Sequence, residues 1–161
     1  MLNLLSRKKT SPIALDLGAD GVKMMQLADV GGEIRVVASA RQRFDRGLPE
    51  EPDVRTEKVA EIIRNLCKDG AFRGRHVVSC LPARDLSIKN VRLARRNGPD
   101  MDQAVLEEAC ERFSFDVTSD QLRYINAGAV KDGTETRDEI IMIATPAEAV
   151  RQHLSLLKQA G

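Results

Sequence analysis

The sequence predicts an α/β chain made of two small units, and three observations carry that prediction. Short apolar runs with partial alternation recur up to Phe44, separated by glycine turns. A helical period then takes over around Val59 and stops at Gly70. After Pro82 the succession of strands and helices starts afresh. The predicted order is strand, strand, strand, helix, strand over 13–82, then strand, helix, strand, strand, helix over 83–161, behind a basic, flexible head at 1–12.

Each element has its own reason. Pro12 precedes Ile13–Leu17, the first strand, with Asp16 near its end. Gly18-Ala19-Asp20-Gly21 turns the chain, and VKMMQLADV returns as the second strand. Gly31-Gly32 is the next turn and EIRVVASARQRF the third strand, so the start is a meander. Asp45 to Asp53, with Gly47, Pro49 and Pro52, reads as a surface loop. In TEKVAEIIRNLCKDG, Val59, Ile62, Ile63, Leu66 and Cys67 fall on one helical face, and Gly70 ends the helix. VVSCLP is a short apolar strand ended by Pro82. These elements make a small α/β layer with a largely buried sheet.

From Ala83 onward LSIKNVRLA is an edge or half-buried strand, and Asn97-Gly98-Pro99 is a loop. Asp100 and Gln103 form a capping-box pattern for the next helix. Its apolar stripe is Met101, Val105, Leu106, Ala109, Cys110 and Phe113. QLRYINAGAV and DEIIMIATP are two strands joined at Lys131-Asp132-Gly133-Thr134. The last helix opens with Thr145 as cap, Pro146 at the first helical position and Glu148 at the third. Val150, Leu154 and Leu157 form its stripe. The two halves share no repeat.

Composition excludes several classes of function. A chain of 161 residues with 42% hydrophobic and 30% charged residues is globular. It is long enough to bury roughly two-thirds of its unfolded surface, so it needs no staples. Its 25 basic and 24 acidic residues give a net charge of +1, which argues against a general nucleic-acid coat. With no Trp, one Tyr (Tyr124) and four Phe, a stacking platform for bases is poorly supplied. Cys67, Cys80 and Cys110 are odd in number and each falls in an apolar stretch, which predicts free core thiols in a reducing cytoplasm. His76 and His153 read as surface residues and form no zinc pattern. No apolar run approaches the length that crosses a bilayer.

One turn is a candidate for chemistry. In Asp16-Leu17-Gly18-Ala19-Asp20-Gly21-Val22-Lys23, backbone N–H groups can approach an anion, Lys23 can neutralise charge and Asp16 can hold Mg²⁺. The segment is neither a P-loop nor a dinucleotide fingerprint, since a strand follows Gly21. A plain hairpin end, with Asp20-Gly21 as its turn pair and Asp16 solvated, accounts for the same residues. Charge is also uneven along the second half. Arg84 to Arg96 holds five basic residues against one acid, and Met101 to Asp120 holds six acids against one Arg. Opposite patches of this kind orient partners or self-association, or simply balance one another as solvated faces.

IALDLGADGVKMMQL, behind a basic start, resembles the first phosphate loop of the actin-like ATPase superfamily, and more narrowly the PilM family of type IV pilus assembly proteins, related to FtsA. VVSCLPARDLSIKNVRLA resembles the passage from that family's first subdomain into its inserted small subdomain. VLEEACERFSFDVTSDQLRYINAG and DEIIMIATPAEAVRQHLSLLKQAG resemble the elements that follow. The resemblance implies an actin-like, ribonuclease H-like first subdomain with an inserted α+β subdomain. It also implies Asp16 as the magnesium-side acid, Gly18, Ala19 and Gly21 as lining of the phosphate turn, and Lys23 just after it.

Two departures accompany the resemblance. Ala19 and Asp20 stand where the family commonly offers a Ser or Thr hydroxyl, and Ser114 stands where a Pro precedes "F-D". Family members are also roughly double this length, with the second phosphate loop and adenosine pocket in the other half. ATP with Mg²⁺ is therefore implied only together with that half, and no enzymatic role is expected of these residues alone. The partner implied is the short cytoplasmic tail of an inner-membrane PilN-type protein, in a groove beside Leu81, Pro82, Leu86, Ile88 and Val91. A scaffold of pilus or related secretion assembly at the cytoplasmic face of the inner membrane follows. The alternatives are an ATP-binding protein using nucleotide as a conformational ligand, or an FtsA-type division adaptor. The head, with Leu2, Leu4 and Leu5 beside Arg7, Lys8 and Lys9, adds at most a peripheral membrane contact.

Overall fold

The computed structural model describes residues 10–44, 48, 49 and 51–161. The expected head up to Lys9, and residues 45–47 and 50 of the expected loop, lie outside the described residues. Seven strands and three helices run through the described residues, and the chain divides into two compact units. One unit is Met1–Pro82 with His153–Gly161, and the other is Ala83–Gln152.

In the first unit β1 (Ile13–Leu17), β2 (Gly21–Val30) and β3 (Glu33–Arg43) form the meander, followed by α1 (Pro52–Asp69) and β4 (Val77–Ser79). Sheet order is β3-β2-β1-β4. β1 runs antiparallel to β2, with Leu17 opposite Val22, and parallel to β4, with Ile13 opposite Val77. The turn between β2 and β3 requires left-handed backbone at Gly31 (φ +69°) and Gly32 (φ +87°), which glycine adopts without steric cost. Strand alternation sends Ile13, Leu15, Val22 and Met24 to one face, where Val59, Ile62 and Ile63 of α1 cover them. Complete burial of a side chain such as Ile13 (2% exposed) contributes about 2 kcal/mol. α1 starts at Pro52, where proline's fixed φ suits the first helical turn, and ends at Gly70.

Thr10 and Ser11, expected within the flexible head, are instead anchored to β2. Thr10 bridges Ala28, and the Ser11 N–H donates to the Leu27 carbonyl at 2.8 Å.

The second unit contains β5 (Ser87–Ala94), α2 (Pro99–Arg112), β6 (Leu122–Asp132), β7 (Glu135–Ala144) and the first residues of α3 (Ala147–Ala160). Its sheet order is β5-β7-β6, all antiparallel, so β5 and β6 are the edges. Met101, Ala104, Val105, Ala109 and Phe113 of the α2 segment pack on Val91, Leu93, Leu122, Ile140, Met142 and Ala144. Gly133, at φ +63°, closes the two-residue turn between β6 and β7.

Several local expectations are corrected. α2 begins at Pro99 with Gly98 as its N-cap residue and no side-chain cap, so Asp100 and Gln103 form no capping box. Thr145 does not cap α3, because its hydroxyl donates to the Asp85 carbonyl at 2.8 Å. The packed residues of α3 are Leu156, Leu157 and Ala160, which join the core cluster of the first unit, while Leu154 is 50% exposed. That packing is why His153–Gly161 counts with the first unit, whereas the expectation placed all of 83–161 in the second. His153 is half-buried, not a solvated surface residue. Of the three thiols expected in cores, only Cys67 is partly buried, and Cys80 and Cys110 are exposed. Cys110 directly follows Ala109, and one residue rotates a helix by about 100°, out of the buried stripe.

Candidate functional site

The turn between β1 and β2 is the first candidate, and the structure closes it from within. The Gly18 N–H donates to the Gly21 carbonyl at 2.9 Å, and the Phe44 N–H donates to the Asp20 carbonyl at 2.8 Å. Gly21 is fixed by close approach of β3, since a Cβ there would stand 2.5 Å from the Gln42 carbonyl oxygen. Asp16 and Lys23 are register partners across the hairpin, and Lys23 Nζ donates to Asp16 Oδ2 at 3.2 Å with both side chains exposed. Ala19 and Asp20 are exposed at the tip. The expected residues Asp16, Gly18, Ala19, Gly21 and Lys23 thus belong to one hairpin end, with Lys23 already paired to Asp16.

That geometry does not fit a polyphosphate. Lys23 lies against Asp16, the Gly18 N–H is turned to the Gly21 carbonyl, and the turn carries two carboxylates, Asp16 and Asp20, against one ammonium group. Among the described residues no group of three His, Cys, Asp or Glu side chains gathers as a metal site.

The second candidate lies on the sheet of the second unit. Strand alternation separates two of the expected partner residues: Val91 is 8% exposed and belongs to the core under α2, while Ile88 is 59% exposed on the other face. Val91 is therefore withdrawn from any docking surface. Leu81 and Pro82 are half-buried at the end of the first unit. Leu86 is half-buried and follows a single 3-10 turn at Ala83–Asp85, tied back by the Leu86 N–H to the Ala83 carbonyl at 3.2 Å. The Thr145 bond to Asp85 holds that turn against the end of β7.

Around Ile88 the sheet presents an apolar face. Ile88 pairs in register with Ile143 and Ile125 with Ile141, so four isoleucines share the surface opposite α2. Ile125 is 55% exposed, while Ile141 and Ile143 are half-buried. The face runs into a cavity of about 460 Å³ whose apolar lining includes Leu86, Ile143, Ala147 and Val150. Asp120, Arg123 and Arg151 add charge to the same lining. Each has a local partner. Arg123 Nη1 donates to the Leu122 carbonyl at 2.6 Å, and Arg151 pairs with Glu148 at 2.8 Å. Asp120 accepts from the Thr118 hydroxyl, which together with its backbone bond and nearby Arg123 holds its carboxyl below the ordinary range. The arrangement offers aliphatic surface beside fixed charges, which suits binding of a polypeptide.

Ile125, Ile141, Ile143, Arg123 and Arg151 were not singled out by the sequence, and Val150 was read only as part of the stripe of the last helix. A signal existed: in DEIIMIATP both alternating sets are apolar, the pattern of a strand with two covered faces. Within the basic run Arg84–Arg96, Arg84 pairs with Asp85 at 3.7 Å, Arg92 with Asp132 at 3.6 Å and Arg95 with the buried Asp138 at 3.4 Å. On the α2 side of the sheet a second cavity, about 570 Å³, lies beside Tyr124, whose hydroxyl donates to Asp102 Oδ1 at 2.7 Å.

No protein-family model matches the sequence, and no curated protein does. A solved chain of the "PilM-PilN type IV pilus biogenesis complex" superposes with a TM-score of 0.68 over 93% of this chain, at 24% identity. The chain shares the fold of part of that chain. It spans 44% of the length of that PilM-PilN chain, less than half. The cytoplasmic domain of EpsL, an inner membrane component of the type II secretion system of Vibrio cholerae, matches over 92% of this chain and 52% of its own, at 15% identity and a TM-score of 0.45. The α/β architecture expected from the sequence is thus related to that of PilM. Among the described residues no helix is long and apolar enough to cross a membrane.

Proposed function

We propose that the chain is a cytoplasmic adaptor that grips a short segment of an inner-membrane partner of PilN type, in the assembly of a pilus or related secretion machine. The observation that carries this reading is the apolar face of Ile88, Ile125, Ile141 and Ile143 running into the cavity beside Leu86 and Val150. Exposed isoleucines grouped on one sheet face cost solubility unless something covers them, which marks an interaction site. The PilM-like fold supports the choice of partner, since the solved relative is a complex of PilM with PilN. The role assigned is binding, with no bond made or broken by these residues.

A titration tests the reading. A fluorescently labelled peptide from the cytoplasmic end of a PilN-type protein is titrated with the chain and read by anisotropy against a scrambled peptide. Saturable binding in the micromolar range, about −8 kcal/mol, is the expected result. Equal curves for both peptides, with circular dichroism showing a folded chain, would overturn it.

A further inference from the structure

The hairpin end between β1 and β2 raises a separate question, because its expected ligand does not fit. The space over Gly18 is where an anion has to come close, since glycine leaves its Cα bare. That space holds a carboxylate already. Asp20 Oδ1 lies 3.6 Å from where a Cβ on Gly18 would stand, and the Gly21 carbonyl oxygen lies 3.4 Å from the same point. Two oxygen atoms, one of them anionic, thus face the bare side of Gly18. The Gly18 N–H is turned inward to the Gly21 carbonyl at 2.9 Å, and Lys23 is bound to Asp16 at 3.2 Å. The Gly18 N–H thus has a partner within the turn, Lys23 is held only by an exposed ion pair, and the side chain nearest Gly18 repels a phosphate.

We infer that Asp20 closes this turn to phosphate, acting as the turn's own anion. The remaining backbone of the turn is intact. Neither Gly18 nor Gly21 has positive φ, the β1–β2 ladder runs in register up to Leu17–Val22, and the β2–β3 ladder is regular from the bulge at Gln26–Leu27 to Gly21–Arg43. The exposed Lys23–Asp16 pair is weak enough to yield to an anion, so the Asp20 charge is the decisive obstacle and removing it opens the turn.

Amide spectroscopy of the full chain reads this locally. Inorganic pyrophosphate, with and without Mg²⁺, is titrated into isotope-labelled wild type, Asp20→Ser and Asp20→Asn. The signals of Gly18, Ala19, residue 20 and Gly21 are followed. Wild type is expected to stay still, while both variants show saturable shifts confined to the turn. The gain is about fivefold or more in affinity, the effect of removing one like charge about 4 Å away in water-like surroundings. Saturable shifts in wild type equal to those of the variants would overturn the inference. So would silence in all three proteins, and so would a response of Asp20→Ser without Asp20→Asn, since charge would then not be the closing feature.

Discussion

The side-chain amide of Gln26 holds Arg73 with both of its polar atoms. Nε2 donates to the Arg73 carbonyl at 2.8 Å, and Oε1 accepts from the Arg73 N–H at 2.8 Å. The second Nε2 hydrogen goes to the Ser11 carbonyl at 2.9 Å. Gln26 is 1% exposed, so a polar residue on the buried face of β2 fastens both the segment before β1 and the segment before β4. Replacing it by Met keeps the bulk and leaves a part-buried N–H and two carbonyls without this partner. Gln26→Met is expected to cost about 1–3 kcal/mol in urea unfolding followed by circular dichroism. An unchanged midpoint would show that water replaces the amide.

Two glycines of one turn are expected to respond differently. A Cβ on Gly21 would meet the Gln42 carbonyl oxygen at 2.5 Å, whereas on Gly18 the nearest atoms lie at 3.4 and 3.6 Å. Gly21→Ala is expected to cost about 1–3 kcal/mol through forced backbone movement, and Gly18→Ala to stay within about 0.5 kcal/mol. Thermal unfolding of the pair measures the difference. Equal midpoints would contradict the close approach of β3.

Tyr124 is the sole tyrosine and the chain has no Trp, so tyrosinate absorbance reports on one residue. Its hydrogen bond to Asp102, with partial burial and the carboxylate's charge, pushes its ionisation above the ordinary value of 10.0. The sign follows directly. The protonated hydroxyl is favoured in the folded state, so the stability it adds is present below the ordinary tyrosine value and is lost as pH rises through the raised one. A spectrophotometric titration is expected to show a high midpoint that Asp102→Ala brings down. A midpoint indifferent to Asp102→Ala would remove the bond from the account.

The meander, α1, β4 and the helix–hairpin order of the second half were legible because period and glycine turns agree there: Gly31-Gly32 and Gly133 sit at the turns, and Val59, Ile62 and Ile63 lie on the buried face of α1. Caps were less legible. Thr145 has the right type and spacing, yet its hydroxyl goes to Asp85, sixty residues away in sequence, and local pattern carries no trace of that. The stripe of α3 failed for a related reason. Leu154 and Leu157 share a helical face, but the surface that α3 meets selects Leu156, Leu157 and Ala160. The docking face was half legible. Ile88 was singled out, while Val91 was grouped with it by nearness in sequence, although strand alternation sends the two side chains to opposite sides.

That alternation yields a binding prediction. Ile88→Asp and Ile125→Asp alter exposed positions, so each is expected to leave unfolding within about 0.5 kcal/mol while weakening partner-peptide binding about tenfold. Val91→Ala, in the core, is expected to do the reverse, costing about 1–3 kcal/mol in stability with peptide affinity retained by the folded chain. Parallel unfolding and anisotropy curves separate the two effects. Loss of affinity in Val91→Ala alone would place the contact on the wrong side of the sheet.

The central claim is that the isoleucine face of the second unit is where a partner segment binds, and isoleucine methyl spectroscopy tests it most directly. Methyl-labelled chain is titrated with the PilN-type cytoplasmic peptide, and every isoleucine is observed at once. The account predicts saturable shifts at Ile88, Ile125, Ile141 and Ile143, with Ile13, Ile62 and Ile63 of the first core unmoved. Binding that shifts the first-unit isoleucines and leaves those four still would contradict it.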